Sequence, residues 1–131
     1  MANDATTVSW RQLREFADVN LTQSFVLSWH LDGEMLVVDV DLYLEPEHPF
    51  YEPPRPVEKA CIWPAVVEFP NCDALQSTQA GSGEVAEIAG QLGLGAISDL
   101  LVLDDGQYAI SGEFGTVYIV AERPILRLKG S

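Results

Sequence analysis

The fold is decided by residues 24–44, SFVLSWHLDGEMLVVDVDLYL, in which two alternating apolar runs flank an Asp-Gly pair. Asp-Gly between such runs is a strong hairpin signal, because both residues tolerate the positive φ that tight turns need. The sequence therefore predicts a β-hairpin with its turn at Asp32-Gly33. In that register Leu31 pairs with Glu34, and one face of the hairpin is apolar. The predicted inner row is Phe25, Leu27, Trp29, Leu36, Val38 and Val40.

The other face of the predicted hairpin carries candidate polar residues. Asp39 and Asp41 lie two positions apart on one strand, so both carboxylates point the same way. Such a pair suits a hard cation or general acid–base chemistry, and a metal-dependent enzyme or metal binder that uses Asp39, Asp41 and His48 is one hypothesis. The opposing interpretation is a solvated acidic face. The predicted register separates His30 from Asp39 by about 13 Å, so His30 is not expected to join the carboxylates.

The remaining segments predict short elements that pack on this hairpin. A capping-box pattern followed by apolar positions at helical spacing predicts a helix at about 10–17. Residues 45–56, EPEHPFYEPPRP, predict a stiff, extended proline-rich loop. Period-two patterning predicts a C-terminal meander over 96–122, with turns at Asp105-Gly106 and Phe114-Gly115. The other predicted elements are a strand at 57–69, a loop at 70–83, a helix at 84–92 and a strand at 125–128.

Together these elements amount to about seven mostly antiparallel strands and one or two short helices. With 131 residues, the chain has the size of a single domain. We predict one domain over residues 1–131, mainly β and at the margin α+β, built as a sandwich or a partly open barrel. Both faces of the meander are apolar, so a structural homodimer through its second face is an alternative.

Charge is the most unusual feature of the composition. The chain has 20 acidic and 7 basic residues, and residues 60–122 contain no Lys or Arg. A negative field of this kind repels phosphate groups, which argues against binding to nucleic acid or an anionic membrane. It attracts a basic protein partner. The residues that we expect to contact such a partner are Asp39, Asp41, Tyr43, His48, Tyr51, Asp104 and Asp105.

Apart from Asp39, Asp41 and His48, the sequence carries no motif for a catalytic site or a cofactor. The glycine runs match neither GxGxxG nor the P-loop, and no local Ser-His-Asp or Cys-His signature occurs. We therefore assign no catalytic residue, metal or cofactor in the leading hypothesis. Cys61 and Cys72 lack CxxC spacing, and the first residues lack a signal peptide, which predicts free thiols and a cytoplasmic location.

One resemblance adds to this interpretation. The order of SFVLSWHLDGEMLVVDVDL early in the chain and ISDLLVLDDGQYAISGEFGTVYIVAE late in it resembles small uncharacterised bacterial β-rich proteins, some of which are classed as immunity proteins of toxin systems. The resemblance implies a cytoplasmic binding module without a cofactor, and it assigns no functional residue. The leading hypothesis is a non-catalytic acidic module that binds a protein partner, such as a basic toxin or enzyme.

Overall fold

The computed structural model describes residues 8–53, 61–78, 83–103 and 105–129. These residues form nine antiparallel strands, one short α-helix and two 3₁₀ turns, which confirms the mainly β class. The strands are β1 (Val8–Ser9), β2 (Val19–Asp32), β3 (Met35–Leu44), β4 (Ile62–Phe69), β5 (Ala74–Ser77), β6 (Gly95–Val102), β7 (Tyr108–Gly112), β8 (Gly115–Val120) and β9 (Ile125–Leu128). Helix α1 spans Val85–Gln91, and the 3₁₀ turns span Trp10–Gln12 and Arg14–Phe16.

The strands join into one open sheet in the order β5-β8-β7-β6-β2-β3-β4-β9, with β1 added beside β6. The short strands β1 and β5 raise the number from the predicted seven to nine. Although three strands separate β4 from β7, the rings of Phe69 and Tyr108 on these strands lie 5.4 Å apart. The two halves of the sheet therefore curl towards each other around the core.

The central hairpin forms from β2 and β3, but its turn and register differ from the prediction. Leu31 lies opposite Leu36 and Asp32 opposite Met35, so the turn consists of residues 33 and 34. Gly33 has φ +64, and residue 34 does not adopt positive φ. Hairpin turns that need positive φ only at their first central position favour glycine there, which explains why the turn starts at Gly33.

A β-bulge at Leu27 exchanges the two faces of β2. Pairing with β3 shifts between Val26 and Ser28, which leaves Leu27 as the extra residue. Val26 is 1% exposed, whereas Phe25 is 46% and Leu27 is 47% exposed. Since one extra residue swaps inward and outward positions, the predicted inner row is wrong for Phe25 and Leu27. Its other members are buried as predicted: Trp29, Leu36, Val38 and Val40.

A second irregularity extends the hairpin beyond its predicted start at residue 24. Pairing continues to Val19, which lies opposite Leu44, with a register shift between Asn20 and Phe25. The buried hydroxyl group of Ser24 fills this shift, because it accepts a hydrogen bond from the Tyr43 N–H and donates one to the Asn20 carbonyl. A side chain thus replaces missing ladder hydrogen bonds.

The predicted helix over 10–17 is wrong, because two 3₁₀ turns occupy this segment. Leu13 has φ −90 and ψ 128, an extended conformation that separates the turns. Ser9 and Gln12 form the expected capping box, and Trp10 and Phe16 are buried, so the apolar pattern still directs the segment onto the core. The helix expected at 84–92 is present as α1. No helix of the described segments is long and apolar enough to span a membrane.

The C-terminal meander forms from β6, β7 and β8 with displaced registers. A two-residue turn at Asp105-Gly106 predicts Leu101 opposite Ile110 and Leu100 on the second face of the meander. Instead, Leu100 lies opposite Ile110, and Gly106 adopts φ +86 in a longer connection. Leu100 is consequently buried in the core. Gly112 pairs with Gly115, so the last turn lies at residues 113 and 114 instead of the predicted Phe114-Gly115.

Candidate binding face on the outer side of the sheet

The side of β2, β3 and β4 that points away from the core brings together three of the predicted site residues. Asp39, Asp41 and Tyr43 alternate along β3 with buried apolar residues and are partly exposed. The period-two geometry of a strand explains their common direction. We call this surface the outer face; its residues are Phe25, Leu27, Ser28, His30, Asp39, Asp41, Tyr43, Ile62 and Pro64.

Asp39 is held by its own chain. The Lys129 ammonium group donates a hydrogen bond to Asp39 Oδ1 at 2.8 Å, and the Ser28 hydroxyl group donates one to Oδ2 at 2.5 Å. Burial raises the pKa of Asp39, but the hydrogen bonds from Lys129 and Ser28 together outweigh it and leave the pKa below its ordinary value of 3.8. Asp39 therefore fastens the chain after β9 to the central hairpin.

His30 also contacts Asp39, contrary to the predicted separation of about 13 Å. His30 Nδ1 lies 3.6 Å from Asp39 Oδ2. The observed register places His30 opposite Val37, which makes Asp39 its diagonal neighbour. The three side chains Ser28, His30 and Asp39 do not have the order of a catalytic triad, because the serine donates to the carboxylate and not to an imidazole base.

Asp41 differs from Asp39 in its surroundings. Within the described parts of the chain, no basic side chain forms an ion pair with Asp41. Phe25 lies opposite Asp41 on β2, Pro64 lies opposite it on β4, and Tyr43 follows two positions later on β3. The neighbours of Asp41 across the strands are thus apolar or aromatic, while Asp39, which binds Lys129, precedes it by two positions on the same face of β3.

Exposed apolar residues continue on both sides of Asp41. On one side, β6 pairs with β2 so that Gly95 lies opposite Val26, which brings Leu94 next to Leu27. Leu94 is 53% exposed. On the other side, Ile62 lies opposite Tyr43 and is 43% exposed. We call these residues the apolar band; its members are Leu94, Leu27, Phe25, Tyr43, Ile62 and Pro64. Contiguous exposed apolar surface of this kind is typical of interaction sites.

His48 and Tyr51 lie in the first part of the proline-rich loop and bond mainly within it. His48 Nδ1 accepts a hydrogen bond from the Phe50 N–H at 3.0 Å, and the Tyr51 N–H donates to the His48 carbonyl at 2.9 Å. No cluster of three or more His, Cys, Asp or Glu side chains in the described segments is arranged to hold a metal ion. The structure therefore does not gather Asp39, Asp41 and His48 as ligands. Residues 54–56 of the loop lie outside the described residues.

Asp105 belongs to the connection between β6 and β7, in the other half of the sheet. Its carboxylate accepts hydrogen bonds from the backbone and side-chain N–H groups of Gln107, at 3.1 and 2.6 Å. Asp104 lies outside the described residues. Asp105 thus stabilises the conformation of its own loop and is not part of the outer face.

The sequence pattern does not predict the apolar band, because strict alternation places Phe25 and Leu27 in the core. The run Phe25-Val26-Leu27 supplies apolar residues to both faces of a strand, so alternation alone does not choose between them. Three consecutive apolar residues in a strand are themselves a sign that apolar side chains lie on both of its faces. Comparisons with known proteins found no family model, curated protein or solved structure that matches the chain.

Proposed function

We propose that this protein is a non-catalytic domain that binds a basic protein partner through its outer face. The observation that carries the proposal is the position of Asp41 inside the exposed apolar band. Its carboxylate forms no ion pair with any residue that the structure describes. Interfaces commonly combine aromatic and apolar contacts with a few complementary charges. A partner with basic and apolar residues side by side matches this surface.

The charge of the whole chain supports the same type of partner. A formal net charge of −13 raises the association rate of basic proteins and disfavours a second copy of the chain, nucleic acid and anionic lipid. A carboxylate of the outer face already binds a cation within the molecule, because Asp39 accepts a hydrogen bond from the ammonium group of Lys129. A basic toxin or enzyme, the partner that the charge distribution suggests, belongs to this class.

The test compares wild-type protein with the double variant Phe25→Ser/Asp41→Asn as immobilised baits for basic proteins. A protein retained by the wild type and lost from the variant is purified and titrated calorimetrically at about 50 and 300 mM salt. We expect affinity to fall at high salt and to fall further in the variant, since both charge and apolar contact contribute.

The matched control is Asp32→Asn/Val120→Ser, which removes one acidic and one exposed apolar side chain elsewhere. Asp32 lies opposite Met35, and Asp41 is six residues further along β3, or about 20 Å away. Val120 ends β8 in the other half of the sheet. The control should bind like the wild type. Affinity that is independent of salt, or equal losses in both double variants, would overturn the proposal.

A further inference from the structure

We infer that the outer face recognises an arginine side chain, held at Asp41 between Phe25 and Tyr43. The inference rests on the proposed function and specifies the chemistry of the partner. Phe25 lies directly opposite Asp41, where side chains of an antiparallel pair begin about 4.5 to 5.5 Å apart. Tyr43 lies on the same face two residues further along the strand. A guanidinium group that bonds to Asp41 is therefore within reach of both rings.

Arginine suits these surroundings better than lysine. Its planar guanidinium group forms two hydrogen bonds to one carboxylate, stacks on aromatic rings and is less strongly hydrated than an ammonium group. A cation over an aromatic face gains further attraction from the ring. Pro64 and Ile62 border the site on the β4 side. An ammonium group there would lose bound water and find no new hydrogen-bond acceptors on these apolar side chains, which would weaken its binding.

The contrast with Asp39 sharpens the distinction. Asp39 binds Lys129 in polar surroundings, with the Ser28 hydroxyl group and the His30 imidazole beside it. Across the strands, Asp41 has the apolar neighbours Phe25 and Pro64 instead, and its polar neighbour on β3, Asp39, is already paired with Lys129. The two carboxylates on β3 thus suit different cations. Asp39 suits an ammonium group and already binds that of Lys129, whereas Asp41 suits a guanidinium group from a partner.

Residues next to the arginine should be apolar. Leu27 and Leu94 extend the band beyond Phe25, and Ile62 extends it beyond Tyr43. We expect the partner segment to cross the strands and to carry a large apolar residue on each side of its arginine. One of these residues would cover Leu27 and Leu94, and the other would cover Ile62. Burial of this apolar surface adds to the binding free energy, and the single ion pair supplies orientation.

The test uses the peptide acetyl-Gly-Leu-Arg-Leu-Gly-amide and its Lys and Gln analogues, titrated into the full chain and followed by amide chemical shifts. We expect shifts at residues 25, 41 and 43, and an affinity for the Arg peptide about two- to fivefold above that for the Lys peptide. Asp41→Asn and the Gln peptide should each weaken binding about tenfold. Phe25→Ser should remove the preference for Arg over Lys, while Asp32→Asn and Val120→Ser should retain it.

The outcomes separate this inference from the proposed function. Equal affinity for the Arg and Lys peptides, or the same preference in Phe25→Ser, overturns the arginine site but leaves a basic partner intact. Peptide shifts that leave out residues 25, 41 and 43, or that centre away from the outer face and Leu94, overturn it in the same way. A purified partner whose affinity ignores the outer-face variants overturns the proposed function itself. Amide spectra of each variant confirm that it is folded before it is compared.

Discussion

The hydroxyl group of Ser24 accepts a hydrogen bond from the backbone N–H of Tyr43 at 2.9 Å and donates one to the Asn20 carbonyl at the same distance. Ser24 is completely buried. The side chain thereby satisfies backbone groups at a register shift in β2, immediately before Phe25 turns outwards. The exposed aromatic residue next to Asp41 depends on this buried polar contact.

Ser24→Ala should destabilise the fold, because it leaves the Tyr43 N–H buried without its acceptor. We expect the free energy of unfolding to fall by about 1 to 3 kcal/mol. Urea denaturation measures the loss. The control is Ser28→Ala, whose partly exposed hydroxyl group donates to Asp39; because water can take its place there, this variant should lose less free energy of unfolding than Ser24→Ala. Equal losses in the two variants would contradict the role assigned to Ser24.

Acid should destabilise the fold through Asp39 and Glu15. The hydrogen bond from Arg123 lowers the pKa of Glu15 from its ordinary 4.5, and the hydrogen bonds from Lys129 and Ser28 lower that of Asp39, against the effect of burial. A carboxylate with a lowered pKa in the folded state stabilises that state above its ordinary pKa. This stabilisation is lost as the pH falls through the folded-state value.

The measurement is the melting temperature of the wild type and of Asp39→Asn as a function of pH. The wild type should melt higher at pH 7, and the difference should shrink as the pH falls below 3.8, the ordinary pKa of this carboxyl group. Comparison at each pH cancels the general effect of the net charge. A difference that grows towards low pH would show the opposite sign of linkage.

Gly112→Ala should disrupt the meander, whereas Gly90→Ala should stabilise the protein. A Cβ atom at Gly112 would collide with the Ala96 carbonyl oxygen and lie 2.7 Å from Phe114 Cε2. Overpacking of this kind should lower the free energy of unfolding by about 2 to 3 kcal/mol. At Gly90, within α1, a Cβ atom meets nothing within 4 Å. Alanine there should add about 0.5 to 1 kcal/mol through helix propensity.

Chemical denaturation of both glycine variants provides this comparison. The two substitutions add the same methyl group, so the opposite signs report the collision at Gly112 and, at Gly90, open space combined with a gain in helix propensity. Destabilisation by Gly90→Ala, or tolerance of Gly112→Ala, would contradict the packing described for these positions.

The two buried tryptophans should respond differently to replacement by phenylalanine. The Trp29 indole N–H donates to the Gly93 carbonyl at 2.8 Å, whereas the buried Trp10 N–H has no hydrogen-bond partner among the described residues. Trp29→Phe should lower the free energy of unfolding by about 1 to 3 kcal/mol more than Trp10→Phe, because it leaves the Gly93 carbonyl unpaired. Urea unfolding followed by far-UV circular dichroism measures both. A larger loss in Trp10→Phe would refute the assignment.

Local pattern was sufficient for most elements of the fold. Alternation around Gly33 predicts the hairpin, the spacing of apolar residues predicts α1, and the period of two places Asp39, Asp41 and Tyr43 on one face. The segment at 10–17 shows the limit of such reasoning. It has the capping box and apolar spacing of a helix, but an extended Leu13 breaks it into two turns while its apolar side chains still reach the core.

The sequence by itself therefore determined the mainly β class, the acidic charge and the common direction of the β3 carboxylates, because these properties depend on composition and on neighbours along one strand. Only the tertiary structure decided which residues meet across strands. The bulge at Leu27 and the shift filled by Ser24 expose Phe25 beside Asp41, and the turn at residues 33 and 34 sets the register that brings His30 to Asp39. These features depend on pairing with β3 and β6 and on burial against the opposite half of the sheet. An apolar run that fits either face of a strand does not specify which of its residues will be buried.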